Sequence, residues 1–422
     1  MQISRGLSPI ALFILMAAIS ASAQVTAIRA GKLVDPETGT TLNNQVIIVE
    51  GARIKAVGPG IDIPANATVI DLSNATVLPG LFDCHTHMAF TVNREGRERG
   101  SLFFHDLTYT TGYRAIEGVV NARSMLEAGF TTIRDVGNNG NYADTDLRQA
   151  IEAGLIPGPT MINAGRIIAP FGGQYQLQPE RPGLGEPEYL YADTRDEMLK
   201  AIRRNIHFGA RVIKIVVDDQ RYIYSADDIK FMVDEAGKAG LKVAAHCVTE
   251  AGARNAVEGR VASIEHGFRM SDEVLEMAKR NNVVLVSTDL TEKAWLAYQI
   301  PAADAKRIHD SLIDRLRRAY KVGVTVAYGT DLVFSDPVES RGSWSMTFIE
   351  NFTAAGWPTK ATLQTMTVNS ARLLGVEKQR GAIRPGLFAD IIATAENPLD
   401  NILALKQVNF VMKNGKVFKH VK

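Results

Sequence analysis

Four histidines, one lysine and one aspartate each close or interrupt a short apolar run. The runs are Val77–His87 (VLPGLFDCHTH), Arg211–Val217 (RVIKIVV), Lys242–Val248 (KVAAHCV), Ser263–Gly267 (SIEHG) and Val324–Asp331 (VTVAYGTD). Side chains of a strand alternate faces, so His85 and His87 point the same way and two imidazoles can grip one cation. A lone histidine in an apolar strand is usually structural, whereas a same-face pair after the Pro79-Gly80 turn reads as a ligand pair. His246 and His266 gain the same reading from their places on consecutive strands. Asp331, in Gly-Thr-Asp at the last of these strands, fits either a metal-bound carboxylate that also moves protons or a turn and N-cap aspartate. Two divalent ions about 3.5–4 Å apart would lower the pKa of a shared water and polarise a carbonyl. Mixed imidazole and carboxylate ligation suits Zn²⁺ best, with Co²⁺ or Mn²⁺ as replacements.

Lys214 lies between Ile213 and Ile215, where a charged amine pays a large desolvation cost. Two solutions stay open. The amine can remain neutral and take up CO₂ as a carbamate, an anionic ligand able to bridge two cations. Alternatively it snorkels to the rim or pairs with a carboxylate. His105, His207, His309 and His420 lie in helical or tail contexts and read as structural or surface groups.

Positioning these groups requires strands whose ends share one mouth. Eight apolar runs, from Val77–His87 to Val324–Asp331, alternate with amphipathic stretches such as Tyr113–Gly129 and Ala305–Gly323. That count predicts an α/β fold, a closed (β/α)₈ TIM barrel with the chemistry at the strand ends. Ser225 and Asp228 make a capping box before one helix. Val25–Leu78 and the segments near the C-terminus instead alternate apolar and polar residues, with a hairpin signal at Lys413-Asn414-Gly415-Lys416. The predicted organisation is a small β-sandwich domain from residues 24–79 plus 380–422, around a barrel over residues 80–379. Residues 168–192, rich in Gly, Pro and aromatics, form the clearest loop insertion.

Residues 1–23 read as a signal peptide: Arg5, an apolar Ile10–Ile19 stretch and Ala21-Ser22-Ala23 before Gln24. A periplasmic or secreted enzyme is expected, with no membrane association after cleavage. The net charge of +1 gives no global attraction to nucleic acid or anionic membrane. Cys84 and Cys247, the two cysteines, neighbour candidate ligands and should turn away from them as free buried thiols.

The matching segments VLPGLFDCHTH, GFTTIRDVG, VIKI, KVAAHC, SIEHG, YGTD, VNSARLLGV and GAIRPGLFADII resemble the amidohydrolase superfamily over essentially the whole chain. The chain is similar to its imidazolonepropionase-related branch, with the Xaa-Pro and Xaa-Arg/Lys dipeptidases, and to ochratoxin-hydrolysing amidohydrolases. The resemblance implies that His85 and His87 hold one metal, His246 and His266 the other, that carbamylated Lys214 bridges them, and that Asp331 shuttles protons. It also implies a homo-oligomer. Three departures stand out, one of them the loss of the family's His-Gly after the last strand, where residues 336–342 read DPVESRG. Gln174 occupies the place of a substrate-binding histidine, and VVDDQRYIYSADD replaces the Gly-rich stretch after Lys214, where Tyr222 or Tyr224 is expected to supply a phenolic donor. Phe90, Phe171, Tyr175, Tyr222, Tyr224 and Trp344 are expected to line the mouth, and Arg181, Arg221 or Arg341 to clamp a substrate carboxylate. The expected reaction is hydrolysis of a small-molecule amide by metal-activated water. The substrates would be N-acyl amino acids, dipeptides or ochratoxin-type amides that release phenylalanine. A cyclic amide hydrolase or deaminase is the alternative enzyme, and a metal-binding barrel the alternative without catalysis.

Overall fold

The computed structural model describes residues 24–93, 105, 108–138, 140–335 and 338–421. The expected leader, residues 1–23, lies outside them. The described chain begins with β1 (Val25–Asp35), β2 (Thr40–Glu50), β3 (Arg53–Gly58) and β4 (Thr68–Pro79). β1 pairs antiparallel with β2 and parallel with β4, which places it inside the sheet. One residue, Gly80, separates β4 from the first barrel strand, so the small sheet hands the chain directly to the strand that ends in His85 and His87.

The strands that follow are β5 (Leu81–Thr86), β6 (Val92–Asn93), β7 (Phe130–Asp135), β8 (Thr160–Asn163), β9 (Ile167–Ala169) and β10 (Tyr189–Tyr191). Next come β11 (Ile213–Val216), β12 (Val243–Cys247), β13 (Ser263–His266), β14 (Val284–Ser287), β15 (Val326–Tyr328) and β16 (Phe334–Ser335). Eight barrel positions are filled by β5, β7, β8 with β9, β11, β12, β13, β14 and β15, all parallel where they pair. The third position is split. β8 pairs with β7, whereas β9, beyond the buried Arg166, pairs with β11. The gap beside β8 is spanned by Arg211 N donating to Asn163 O at 2.7 Å, and the barrel closes where Asp331 N donates to His85 O at 2.8 Å. This is the expected (β/α)₈ barrel. Its strands are apolar throughout because both faces are covered: every residue of β5, β7, β11, β12 and β13 is buried.

Helices between the strands start where the sequence signals them. Ser225 Oγ accepts from Asp228 N at 3.1 Å at the head of helix Ala226–Gly237, and Thr194 with Glu197 forms a reciprocal capping box before helix Arg195–His207. The insertion after β9 returns as β10, which pairs parallel with β9 and adds a strand beside the mouth. β6 and β16 pair across the loops that follow β5 and β15, supported by Val92 N donating to Val333 O at 2.8 Å.

The last strands, β17 (Ile391–Thr394), β18 (Val408–Lys413) and β19 (Lys416–His420), join β4 to give one sheet ordered β19-β18-β17-β4-β1-β2-β3. The two-residue hairpin turn has both central residues left-handed, Asn414 at φ 49° and Gly415 at φ 75°. The free edge at β3 folds back on the approach to β17, with Ile54 N bonded to Leu387 O and Ala389 N to Ala52 O, each at 2.9 Å. The small domain is therefore a single curled sheet whose apolar face closes over Ile28, Ile47, Ile70, Ile391 and Phe410. Among the described residues no helix is long and apolar enough to cross a membrane. Cys84 and Cys247 are both buried and free.

Candidate active site

The six candidate residues from five different strand ends meet in one cavity of about 310 Å³ at the carboxyl side of the barrel. His85 closes β5 and His87 lies just beyond it, with ring centroids 5.3 Å apart. His266 brings the rings of β12 and β5 together, with centroids 4.4 Å from His246 and 4.9 Å from His85. Asp331 projects its carboxylate between them: Oδ1 lies 3.1 Å from His87 Nε2 and 3.7 Å from His85 Nε2, and Oδ2 lies 3.8 Å from His266 Nδ1. Lys214 is 2% exposed on the same wall, so its amine does not snorkel.

Backbone geometry places two of these groups. His266 has φ 72° and Asp331 φ 52°, the left-handed region that costs a non-glycine residue about 1–3 kcal/mol. The turn at His266 breaks strand alternation, so Glu265 and His266 both reach the barrel interior. Gly329 is required by close approach. A Cβ there would lie 2.5 Å from Val286 Cγ1 and 2.8 Å from His85 Cβ, pushing the ligand histidine off its position.

A buried polar layer below orients the imidazoles. Glu265 Oε2 lies 2.7 Å from His85 Nδ1, and Arg134 Nη2 donates to Glu265 Oε1 at 2.7 Å. With Nδ1 engaged by a carboxylate, His85 turns Nε2 toward the cavity, the arrangement that metal-ligating histidines commonly show. His266 Nδ1 has Thr288 Oγ1 at 2.7 Å. Burial, reinforced by Lys214, lowers His85 to about 4, and burial together with the neighbouring imidazoles holds His266 well below the usual range, so both rings are neutral. Burial alone would raise the Asp331 carboxyl, but His85 and His87 outweigh it and hold it at about 2. Burial lowers Lys214 to about 8 against the pull of Glu265 and Asp331.

These residues fit divalent cations. Neutral imidazoles and an ionised carboxylate are the donor forms that metals bind. The buried His246 Nε2 faces Asp219 Oδ2 at 2.8 Å, so this imidazole too is directed at the cavity wall.

Other expected site residues are placed differently. Gln174, Phe90 and Tyr175 line the cavity. Tyr224 is wholly buried in the barrel core and donates its hydroxyl to Ala192 O at 2.6 Å, which removes it from the substrate side. Tyr222 is 50% exposed and, like the exposed Phe171, lies off the cavity wall. Arg341 is no carboxylate clamp. It is 2% exposed, and its guanidinium donates to the carbonyls of Phe334, Leu332 and Phe90, tying the loop after β15 to the loop after β5. Trp344 is buried beneath these loops, and neither Arg181 nor Arg221 reaches the wall. The wall includes four polar residues that sequence reasoning did not single out, Glu188, Tyr189, Asp219 and Tyr298. For Asp219 there was a signal, since it falls within the segment that departs from the family pattern.

The fold and site together define a barrel hydrolase, and the chain belongs to the amidohydrolase family, whose model matches residues 76–418. An ochratoxinase of Aspergillus niger is 29% identical, with 96% of this chain and 89% of the relative covered. Its crystal structure superposes with a TM-score of 0.80 at 26% identity, covering 94% of this chain and 96% of that one. A Xaa-Pro dipeptidase solved with methionine in its active site gives a TM-score of 0.82 at 27% identity, covering 94% and 100%. An imidazolonepropionase of Fusobacterium nucleatum is 25% identical over 89% of this chain and 92% of the relative. The protein is a hydrolase acting on amide bonds.

Proposed function

We propose that this enzyme uses a dinuclear divalent-metal centre, with Zn²⁺ as the natural occupant, to cleave one acyclic amide bond of a dipeptide or N-acyl amino acid. Ochratoxin-type amides that release phenylalanine belong to this class. The observation that carries the reading is the convergence of His85, His87, His246, His266, Lys214 and Asp331 in one cavity. His85 and His87 would hold one ion, His246 and His266 the other, with Lys214 as a carbamate between them and Asp331 alongside. When bound, the ions acidify water and polarise the substrate carbonyl.

The chain's own groups then do the rest. Asp331 takes a proton from the attacking water and delivers it to the leaving nitrogen, since its carboxylate is ionised and lies among the imidazoles. Glu265 and Arg134 keep His85 in one tautomer and orientation. Tyr298, on the wall with Asp331, is a phenolic donor available to the substrate carbonyl, and Phe90 with Tyr175 supplies the apolar surface.

The test is product analysis. Metal-loaded enzyme incubated with a panel of dipeptides, N-acyl amino acids and hydantoin should release free amino acids from the acyclic amides. Ring opening of hydantoin alone would favour a cyclic-amide hydrolase, and inactivity across the panel would return the chain to a metal-binding barrel.

The leader pattern supports export to the periplasm or medium. The exposed Tyr113, Ile116 and Val120, on one side of helix Thr111–Glu127, support self-association into a homo-oligomer. Intact mass and sedimentation of exported protein should give a chain beginning at Gln24 and an assembly larger than one chain. A retained leader would refute export, and a monomer would refute self-association.

A further inference from the structure

Gln174 and Asp219, the residues at two points where the chain departs from its family's pattern, touch each other. Gln174 Nε2 donates to Asp219 Oδ2 at 2.7 Å, and Tyr189 Oη donates to Gln174 Oε1 at 2.9 Å. Tyr189 thereby fixes which end of the amide faces the carboxylate. The neighbouring Asp218 is fully used within the fold: its carboxylate accepts from Val248 N and Thr249 N, each at 2.8 Å, and from Thr249 Oγ1 at 2.5 Å, holding the residue that caps helix Glu250–Glu258. Asp219 has no such structural duty. Its side chain is 26% exposed on the cavity wall, and no described residue donates to Oδ1.

Glu188, Asp219 and Asp331 face the cavity, and Lys214 is the one lysine or arginine among the described residues of the wall. Arg181, Arg221 and Arg341 all lie elsewhere. Both close partners of the carboxylate, Gln174 Nε2 and His246 Nε2, sit at Oδ2, so Oδ1 is the oxygen presented to substrate, and a charge-assisted hydrogen bond from a cation is the strongest recognition it offers. In a dipeptide the α-ammonium is two bonds from the scissile carbonyl carbon, within reach of a group beside His246.

We propose that Asp219 anchors a protonated amine on the acyl half of the substrate, so that free dipeptides are preferred over N-acyl amino acids. The proposal rests on the amide-hydrolase reading above and selects within it. Gln174 and Tyr189 are positioning residues for that carboxylate.

The test compares Ala-Phe with propionyl-Phe, which differ only in the ammonium group, using metal-loaded wild type and Asp219→Asn. Wild type should favour Ala-Phe by roughly 10–100-fold in kcat/KM, the scale of one charge-assisted hydrogen bond. In Asp219→Asn that ratio should collapse toward one while the metal content holds. Equal rates for the two amides in wild type would overturn the proposal without any variant. So would a ratio that survives in Asp219→Asn, or loss of metal from that variant, which would make Asp219 a ligand instead. Cleavage of neither amide would refute the amide-hydrolase reading itself, and this assignment with it.

Discussion

Lys214→Ala loses metal and activity together. The lysine is 2% exposed between Ile213 and Ile215, on a wall shared with four histidines, and burial lowers its pKa to about 8. A neutral amine in that position can attack CO₂, forming an N–C bond and releasing a proton, and the resulting carbamate carries two oxygens. Alanine offers neither ligand nor charge. Metal analysis should fall from near two ions per chain. The fall in affinity should exceed the roughly 10–100-fold typical when a group that merely supports a ligand is lost. A short carboxylate such as formate or acetate, filling the space left by the side chain, should restore part of both. A fully active Lys214→Ala enzyme with its metal intact would sink the carbamate.

Asp331→Asn separates proton transfer from metal binding. The amide has nearly the shape of the carboxylate but cannot accept a proton from water, so kcat should fall about 10²–10⁴-fold, the range for general acid–base catalysis. Most of the metal should remain, because four imidazoles and Lys214 are untouched. The backbone position is secured independently of the side chain by Asp331 N donating to His85 O, and asparagine tolerates the left-handed φ of 52°. A variant with near-native kcat would move the shuttle role to another group.

Period-two alternation and strand counting carried the barrel and the meeting of its strand-end residues, because those depend on spacing alone. His85 and His87 needed nothing more than their separation of two. Glu265 was hidden by the same rule that exposed them: alternation sends it away from His266, and a left-handed residue at the strand end reverses that. The mouth was read less well, since it is built by loops whose convergence leaves no periodic trace. Tyr224 and Trp344 looked like loop aromatics and are core. Arg341 looked like an anion clamp and is a brace for backbone carbonyls. Gln174 and Asp219 lie on separate loops, and only the return of the chain through β10 brings Tyr189 to them.

The order of strands in the small sheet bears on how the chain reaches its native state. β4 leads straight into β5 and the paired histidines, yet its outer edge is covered by β17, with Ile391 opposite Pro79 and Ala393 opposite Val77. A nascent chain therefore holds an apolar sheet with an open edge until residues 391–420 have emerged. Pairing of that kind, between segments far apart in sequence, is slow to form. A chain cut short before Ile391 would keep the same open edge permanently and would be prone to aggregate.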